Sequence, residues 1–350
     1  MKKYTLFLGV MALTNIMMAQ TLPKFDNGKA DTLPSTKSEY KYTPISGYSP
    51  SNMLTLWYTS PVTAMTVSDP WMDYALPIGN GQLGGMVYGG IRQDMVQFNE
   101  KTLWTGSSTE RGSYQTMGNL YIEDTGNMFS TSSSAQAAGN YNRQLDLATS
   151  TATASWTSPD GKTLFTRQYV ASYPDKCIAI HIKASTPGAI NNHFYLYNPH
   201  GNMAKYTPGE GVFCGKLTTI SYNARIKVNT VGGTVSTDST GIYVKDADEA
   251  TVILSAGTDY DPAAPGYVKN TSSLGETVKM HAVKASKKKW VNLYSRHLAD
   301  YKNLFDRVTL NLDGAENKLP TNQIIDAYSH SSEVGCTRLL ENLYFQYGRY

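Results

Sequence analysis

The chain has 350 residues and a formal net charge of +3, and 41% of its residues are hydrophobic. This length is enough for one large domain and a smaller one. The weak positive charge gives no reason to expect nucleic acid or an acidic lipid as a partner.

The first twenty residues have the form of a signal peptide. Lys2 and Lys3 precede a largely apolar run over residues 4–18, which is shorter than the roughly 20 residues that a membrane span needs. We therefore expect an exported protein, periplasmic or extracellular, with no membrane span after cleavage. Residues 21–51, rich in Pro, Ser, Thr, Lys and Asp, predict an irregular leader.

Three glycines, Gly79, Gly81 and Gly84, spell the G-x-G-x-x-G pattern of dinucleotide-binding sites. That site requires a helix directly after the glycines, because the helix N-terminus holds the phosphates. Residues 85–90 are instead β-branched, aromatic and interrupted by glycine, which predicts a strand. We therefore reject a nucleotide site.

Residues 52–283 contain short alternating runs separated by turn residues, which predict a large antiparallel β-sandwich. One hairpin has a clear turn signal, Pro159-Asp160-Gly161. Further strands are predicted at 176–183, 224–231, 241–245 and 251–255, with turns at 231–234 and 237–238. The three cysteines, Cys177, Cys214 and Cys336, form no disulfide or zinc pattern, and we expect buried thiols.

Residues 284–332 predict a helical linker. It begins with a lysine-rich stretch, 284–289, which we interpret as a solvated connector. Apolar residues then share one helical face: Trp290, Leu293, Tyr294, Leu298, Tyr301, Leu304, Phe305 and Val308. His297 lies on this face, and we expect it to be packed and hydrogen-bonded. Thr321 is the predicted N-cap of a second helix, and a third runs over residues 333–350.

A series of motifs resembles glycoside hydrolase family 95, the α-L-fucosidases. In chain order they are Leu56-Trp57-Tyr58, ALPIGNGQLG at 75–84, NEKTLWTG at 99–106, YQTMGNL at 114–120, YNRQLDL at 141–147, ASYPD at 171–175, His297 with Asp300-Tyr301, and LYFQYGRY at 343–350. One departure is the short segment between Gly106 and Tyr114, where many members carry a long insertion.

The resemblance implies a large N-terminal β-sandwich (a super-sandwich), a helical linker and a catalytic (α/α)6 barrel. It also implies that the protein removes terminal α-linked fucose from fucosylated or related glycans, with inversion. The family's catalytic residues lie in the barrel, beyond Tyr350. We therefore expect residues 333–350 to be the first barrel helix, the rest of the barrel to be an intramolecular partner downstream, and this chain alone to be inactive.

The residues themselves give no catalytic site, and we expect no cofactor and no metal. The six histidines show no zinc spacing, and the acidic clusters at 246–249 and 259–261 read as turns. Five residues are candidates for substrate binding, because a Trp face suits sugar C–H surfaces and Asn or Glu can hold hydroxyls: Trp71, Asn80, Asn99, Glu100 and Trp104.

Structural roles are the alternative for these residues, with Asn80 as a turn residue and Trp104 in the core. Two other functions also stay open for the chain as a whole. One is a non-catalytic carbohydrate-binding or structural β-sandwich module, and the other is a hydrolase with an unrecognised site.

Overall fold

A computed structural model of the chain describes residues 37–62, 70–107, 109–129, 137–269, 273–330 and 334–350. The predicted signal peptide lies outside this part. The strands are β1 Tyr42–Pro44, β2 Thr55–Tyr58, β3 Leu76–Gly79, β4 Leu83–Val87, β5 Gln93–Glu100, β6 Gly118–Asp124, β7 Ala138–Asp146, β8 Thr151–Thr157, β9 Leu164–Ser172, β10 Cys177–Ala184, β11 Ile190–Tyr197, β12 Lys205–Thr207, β13 Glu210–Lys216, β14 Ser221–Thr237 and β15 Ile242–Thr258. The helices are α1 Pro70–Tyr74, α2 Leu274–Ser286, α3 Trp290–Phe305, α4 Thr321–His330 and α5 Val334–Arg349.

The strands form one continuous sheet that folds back on itself. Its hydrogen-bonded order is β1-β7-β8-β9-β10-β15-β11-β6-β5-β4-β3. Strand β2 also pairs with β7. Strand β14 pairs with β15 and with β13, and β13 pairs with β12. Strands β3 and β4 lie against β9, so the two arms of the path face each other as layers. The predicted mainly β class, a large antiparallel sandwich, is confirmed.

Alternating burial explains why these segments are strands. In β11 every second residue, from Ile190 onward, is buried, as a strand with one core face requires. Strand β10 is buried on both faces, because α2 and α3 cover its outer side: Cys177 and Ala179 pack there against Ala285 and Leu293. The predicted hairpin around Gly161 is also confirmed, since β8 pairs with β9.

The longest ribbon of the sheet differs from the sequence prediction. Strands β14 and β15 pair antiparallel along nearly their whole length. Gly232 and Gly233 were expected to mark a turn, but they lie within β14 with positive φ, where the register shifts by one residue because β15 carries an extra residue, Asp248. The bulge thus lies in β15, where Asp246 also has a positive φ, and pairing with β14 continues on both sides of it.

The segment before the sandwich is more ordered than the leader prediction allows. Strand β1 lies within residues 37–51 and pairs parallel with β7. Tyr40 is buried in the main core, and the Glu39 carboxylate accepts hydrogen bonds from the backbone N–H groups of Ile91 and Arg92. These contacts come from distant strands, so the local composition could not reveal them.

The helical part begins at Leu274, whereas the sequence placed its start at Lys284. Helix α2 packs across β14 and β15 and buries Val278, Ala282 and Ala285. Two of these buried side chains are only methyl groups, which gives a weak periodic signal. The domain boundary at 283 stays a prediction, but α2 packs with the sandwich.

The three remaining helices occur where they were predicted, with local differences. Helix α3 buries Leu293, His297 and Phe305, but Leu304 and Val308 are exposed, against the prediction of one apolar face. Thr321 is not the N-cap of α4. The Pro320 carbonyl accepts the first helical hydrogen bonds, while the Thr321 hydroxyl accepts one from the backbone N–H of Trp57.

The cysteine prediction holds for one residue of three. Cys177 is buried, whereas Cys214 is exposed and Cys336 is half-buried. None of the helices in the described residues is both long enough and apolar enough to cross a membrane.

Candidate functional site

Asn80 forms the turn of the β3–β4 hairpin. Its side-chain oxygen accepts hydrogen bonds from the N–H groups of Gln82 (3.0 Å) and Leu83 (2.8 Å), and its amide donates to the Ser172 carbonyl (3.1 Å). Gly81 has a φ of +79°, which glycine adopts without strain. A strand follows these glycines, so the exclusion of a nucleotide-binding helix is confirmed.

The same hairpin borders a cavity of about 400 Å³ that lies against α3 and the end of α5. Its lining includes Asn80, His297, Asp300 and Tyr350. Among the described residues, no hydrogen bond joins the His297 ring to a charged side chain. Its ring Nε2 lies 3.0 Å from the Thr149 carbonyl, which fixes that nitrogen as the N–H donor, and the predicted packed, bonded histidine is confirmed.

Asn99 braces two strands. Its side-chain oxygen accepts a hydrogen bond from the backbone N–H of Met117 at 3.1 Å, which ties β5 to the segment entering β6. The side chain is half-buried and lines none of the four cavities described here. A substrate contact by Asn99 therefore has no support from the geometry.

Glu100 is buried at the end of β5. Its carboxylate accepts hydrogen bonds from the backbone N–H and the hydroxyl of Thr102, which also contacts the Thr258 hydroxyl. Burial raises the pKa of Glu100, and the hydrogen bonds from Thr102 and Gln82 oppose this shift. The carboxylate borders a polar cavity of about 350 Å³ that also includes His281.

Trp104 stands at the surface and not in the core. It is 45% exposed and lines the largest of the four cavities, about 580 Å³. The indole N–H donates to the Lys101 carbonyl at 3.2 Å, and one side of the ring packs against Tyr114, with ring centroids 5.6 Å apart. The alternative placement of Trp104 in the core is therefore wrong, because the loop after β5 turns its ring outward.

Trp71 lies in α1, and its side chain is outside the described part of the structure. The remaining predicted residues fall into separate places. Glu100 and Trp104 border adjoining cavities, which share Lys101, Thr102 and Tyr260 in their linings. Asn80 lines the cavity beside α3, and Asn99 lines none of the four cavities.

The sequence interpretation missed two residues of the largest cavity, Tyr260 and Tyr267. Both are exposed, and their rings are nearly parallel at 6.5 Å between centroids. The signal was present but ambiguous: Tyr260 stands between two aspartates before Pro262, and this pattern indicates a turn. Asp261 does form that turn, accepting from the Ala263 N–H, whereas Asp259 is buried and accepts from the N–H of Ser221.

The other acidic cluster is not a turn. Asp246, Asp248 and Glu249 lie within β15. Asp248 accepts from the Gly188 N–H at 2.8 Å, and Glu249 contacts His181 and Lys183, each at 3.0 Å. Among the described residues, no group of three or more His, Cys, Asp or Glu side chains is placed to hold a metal.

Each of the four cavities is lined by one carboxylate. They are Glu110 in the largest, Asp300 beside α3, Glu249 beside the lysine-rich stretch, and Glu100 in the polar cavity. Hydrolysis of a glycosidic bond with inversion requires two carboxyl groups on opposite sides of that bond. None of these four linings holds two carboxylates, although the cavities of Glu100 and Glu110 adjoin.

Two family descriptions match the chain in succession. Residues 56–115 and 107–263 match "Glycosyl hydrolase family 65, N-terminal domain", and residues 289–350 match "Glycosyl hydrolase family 95 catalytic domain". The first match covers more than half of the chain and coincides with the sandwich, and the second coincides with the last helices. The chain belongs to the family with the glycosyl hydrolase family 65 N-terminal domain, joined to sequence of the family 95 catalytic domain.

Curated relatives extend over most of the chain. Alpha-L-fucosidase 2 of Arabidopsis thaliana is 27% identical and covers 80% of this chain and 40% of its own length. Probable alpha-fucosidase A of Aspergillus niger is 26% identical, covering 84% and 42%, and that of Aspergillus oryzae is 22% identical, covering 79% and 44%. The chain thus spans less than half the length of these relatives.

Proposed function

We propose that this chain is the sandwich and linker portion of an α-L-fucosidase that removes terminal α-linked fucose from glycans. The relatives named as α-fucosidases support this proposal, because their similarity runs through both the sandwich and the helices. The family 95 catalytic-domain match over residues 289–350 supports it further.

One observation supports placing the catalytic residues outside the described part of the chain. Every cavity described above has a single lining carboxylate, whereas the inverting reaction needs an acid and a base some 6.5–9.5 Å apart. We therefore propose that bond cleavage depends on residues outside those described here. The chain alone is expected to be inactive.

The exposed apolar side chains of α4 and α5 support a further packing partner. Ile325, Val334, Tyr344, Phe345 and Tyr347 are all exposed. Several large exposed apolar side chains on two neighbouring helices favour an interface. We propose that the remainder of the family 95 catalytic domain packs on this surface.

Export of the protein is also part of the proposal. It rests on the two lysines and the apolar run of residues 1–20, which have the form of a signal peptide. N-terminal sequencing of the mature protein from the periplasm or medium tests it. A mature protein that retains Met1 and stays in the cytoplasm contradicts export.

Turnover of an aryl α-L-fucoside tests the assigned activity. We expect no turnover by residues 21–350 alone and turnover by a protein in which the family 95 domain is continued to the length of the relatives. Activity of residues 21–350 alone would contradict the proposal that cleavage requires the continued family 95 domain. Inactivity of the longer protein on α-L-fucosides would contradict the fucosidase assignment.

A carbohydrate-binding module without catalysis is the second candidate function. The aromatic lining of the largest cavity favours it, since such rings suit sugar surfaces. Saturable glycan binding, combined with an inactive longer protein, would select this candidate.

A further inference from the structure

The largest cavity is walled by aromatic side chains from two distant parts of the sequence. Trp104 comes from the loop after β5, and Tyr260 and Tyr267 come from the turn after β15. All three rings keep large exposed fractions, 45%, 38% and 52%. A volume of about 580 Å³ lies within the usual range of small-molecule sites, about 300–1,000 Å³.

Both walls are held in place before any ligand arrives. On one side, the loop is closed by a backbone bridge between Trp104 and Tyr114 and by the hydrogen bond from the indole to Lys101. On the other, Tyr260 bridges Val268, and the Asp261 N–H donates to the Tyr267 carbonyl at 2.9 Å. Preorganised rings lose little conformational entropy when they bind, which favours affinity.

Both walls are tied to the start of β14: the Asp259 N–H, next to Tyr260, donates to the Ser221 carbonyl at 3.1 Å. The Thr219 hydroxyl, from the segment that enters β14, donates to the Gly106 carbonyl at 3.0 Å. Thr219 and Ile220 line the cavity beside the aromatic rings. The site is thus a fixed depression and not a gap between independent loops.

The polar groups of the cavity match a neutral, hydroxyl-rich ligand. The lining carries one cation, Lys101, and one carboxylate, Glu110, and neither forms an ion pair with a described residue. The hydroxyls of Tyr260 and Tyr267 also have no hydrogen-bond partner in the described part of the chain. Opposite single charges give no preference for an anion or a cation, whereas donors and acceptors beside aromatic faces suit a sugar ring.

We infer that this cavity is a glycan-binding site for neutral pyranosides, formed by Trp104, Tyr260 and Tyr267 with Lys101 and Glu110. The rings stack on the C–H face of a sugar, and the two charged groups hold its hydroxyls. A single lining carboxylate makes the site a binding site without cleavage. The ligand class rests on the proposed function, since it is glycans that a glycoside hydrolase meets.

Titration of residues 21–350 with neutral and acidic oligosaccharides tests this inference. We expect maltotriose and 2′-fucosyllactose to bind saturably by calorimetry and to change the tryptophan fluorescence. Trigalacturonate, of similar size but anionic, should bind more weakly. Absence of saturable binding by both neutral sugars, or tighter binding of trigalacturonate, would overturn the inference.

Two variants locate the binding. Trp104→Ala and Tyr267→Ala should each weaken the affinity for the neutral sugars about tenfold, which corresponds to about 1.4 kcal/mol. Tyr173→Ala is the matched control, because Tyr173 is equally exposed, at 52%, but lies outside this cavity. We expect its affinity to be unchanged.

Unchanged circular dichroism and unfolding midpoint confirm that a variant folds, and Tyr267→Ala provides the test if Trp104→Ala does not fold. Equal weakening by Tyr173→Ala would overturn the assignment to this cavity. Binding is measured without turnover, so an inactive longer protein would contradict the proposed fucosidase and leave the binding result standing.

Discussion

At the scale of single residues, one buried amide attaches the segment before α4 to the sandwich. Asn317 is fully buried, and its amide nitrogen donates to the carbonyls of Met53 (3.1 Å) and Thr55 (2.8 Å). Its oxygen accepts from the indole N–H of Trp57 at 3.1 Å. Both N–H groups and the oxygen of the side chain are thus bonded to strand β2 and the residues before it.

Replacing this amide should destabilise the protein strongly. Asn317→Ala removes the partner of the buried Thr55 carbonyl and of the buried Trp57 indole N–H, and we expect a loss of about 3 kcal/mol in the free energy of unfolding. Denaturant unfolding measures it. Asn311→Ala is the control, because Asn311 is exposed and bonds only to Asp313, and its effect should stay within about 0.5 kcal/mol. Equal effects of the two substitutions would contradict the role of Asn317.

The candidate residues show why residue-level prediction succeeded only in part. Asn80 follows local rules, since an Asn between glycines forms a turn with its own backbone. Whether Glu100 and Trp104 are buried or exposed depends on how distant parts of the chain pack around them. Residue type allowed Trp104 either a substrate-binding or a core position and made Glu100 a candidate to hold hydroxyls, whereas the fold exposes Trp104 and bonds Glu100 to Thr102.

At the scale of elements, strand β14 requires glycine where it faces the bulge of β15. Gly233 has a φ of +63°, and an added Cβ would lie 2.3 Å from the Lys245 carbonyl oxygen and 2.6 Å from the Ala247 nitrogen. Both are backbone atoms of the partner strand β15, so they cannot move aside without breaking the ladder. The glycine lets the long ribbon continue through the register shift.

Gly233→Ala should therefore destabilise the protein more than backbone strain alone. Gly161→Ala is the matched control: Gly161 has a φ of +72°, but nothing lies within 4 Å of its added Cβ. We expect about 1 kcal/mol for Gly161→Ala from the positive φ. For Gly233→Ala the clash should add about 2 kcal/mol. Thermal or denaturant unfolding compares them, and similar losses would show that the ribbon can relax around the methyl group.

Elements were predicted best where their signal is local. The β8–β9 hairpin carries a Pro-Asp-Gly turn, and α3 carries an apolar stripe, and both occur as expected. Helix α2 and strand β1 were missed because their partners are remote in sequence. Ala282 and Ala285 become core residues only because β14 and β15 lie beneath them.

At the scale of the whole molecule, burial of histidines ties stability to pH. Burial lowers the pKa of five histidines below the ordinary value of 6.5: His181, His193, His200, His281 and His297. At these five side chains the folded protein therefore binds fewer protons than the unfolded chain just below pH 6.5. Stability is fully present above that pH and is lost as the pH falls.

Acidification should thus lower the unfolding midpoint from about pH 6.5 downward. His297→Gln keeps a side-chain N–H that can donate to the Thr149 carbonyl but removes the titration, so its pH dependence should be shallower. The difference is at most about 1.4 kcal/mol per pH unit, the effect of one proton. Unfolding followed from pH 7.5 to 5 measures it. Parallel curves for the two proteins would contradict a neutral, buried His297.

The sequence by itself determined the mainly β class, the order of sandwich before helices, the absence of a nucleotide-binding turn and the family resemblance. Each follows from periodicity, turn residues or ordered motifs, which are properties of neighbours along the chain. Only the tertiary structure decided the aromatic cavity, because Trp104 and Tyr267 lie far apart in sequence and meet through the packing of two loops. It also decided the burial of Glu100, since the dielectric around a carboxylate depends on what covers it in space.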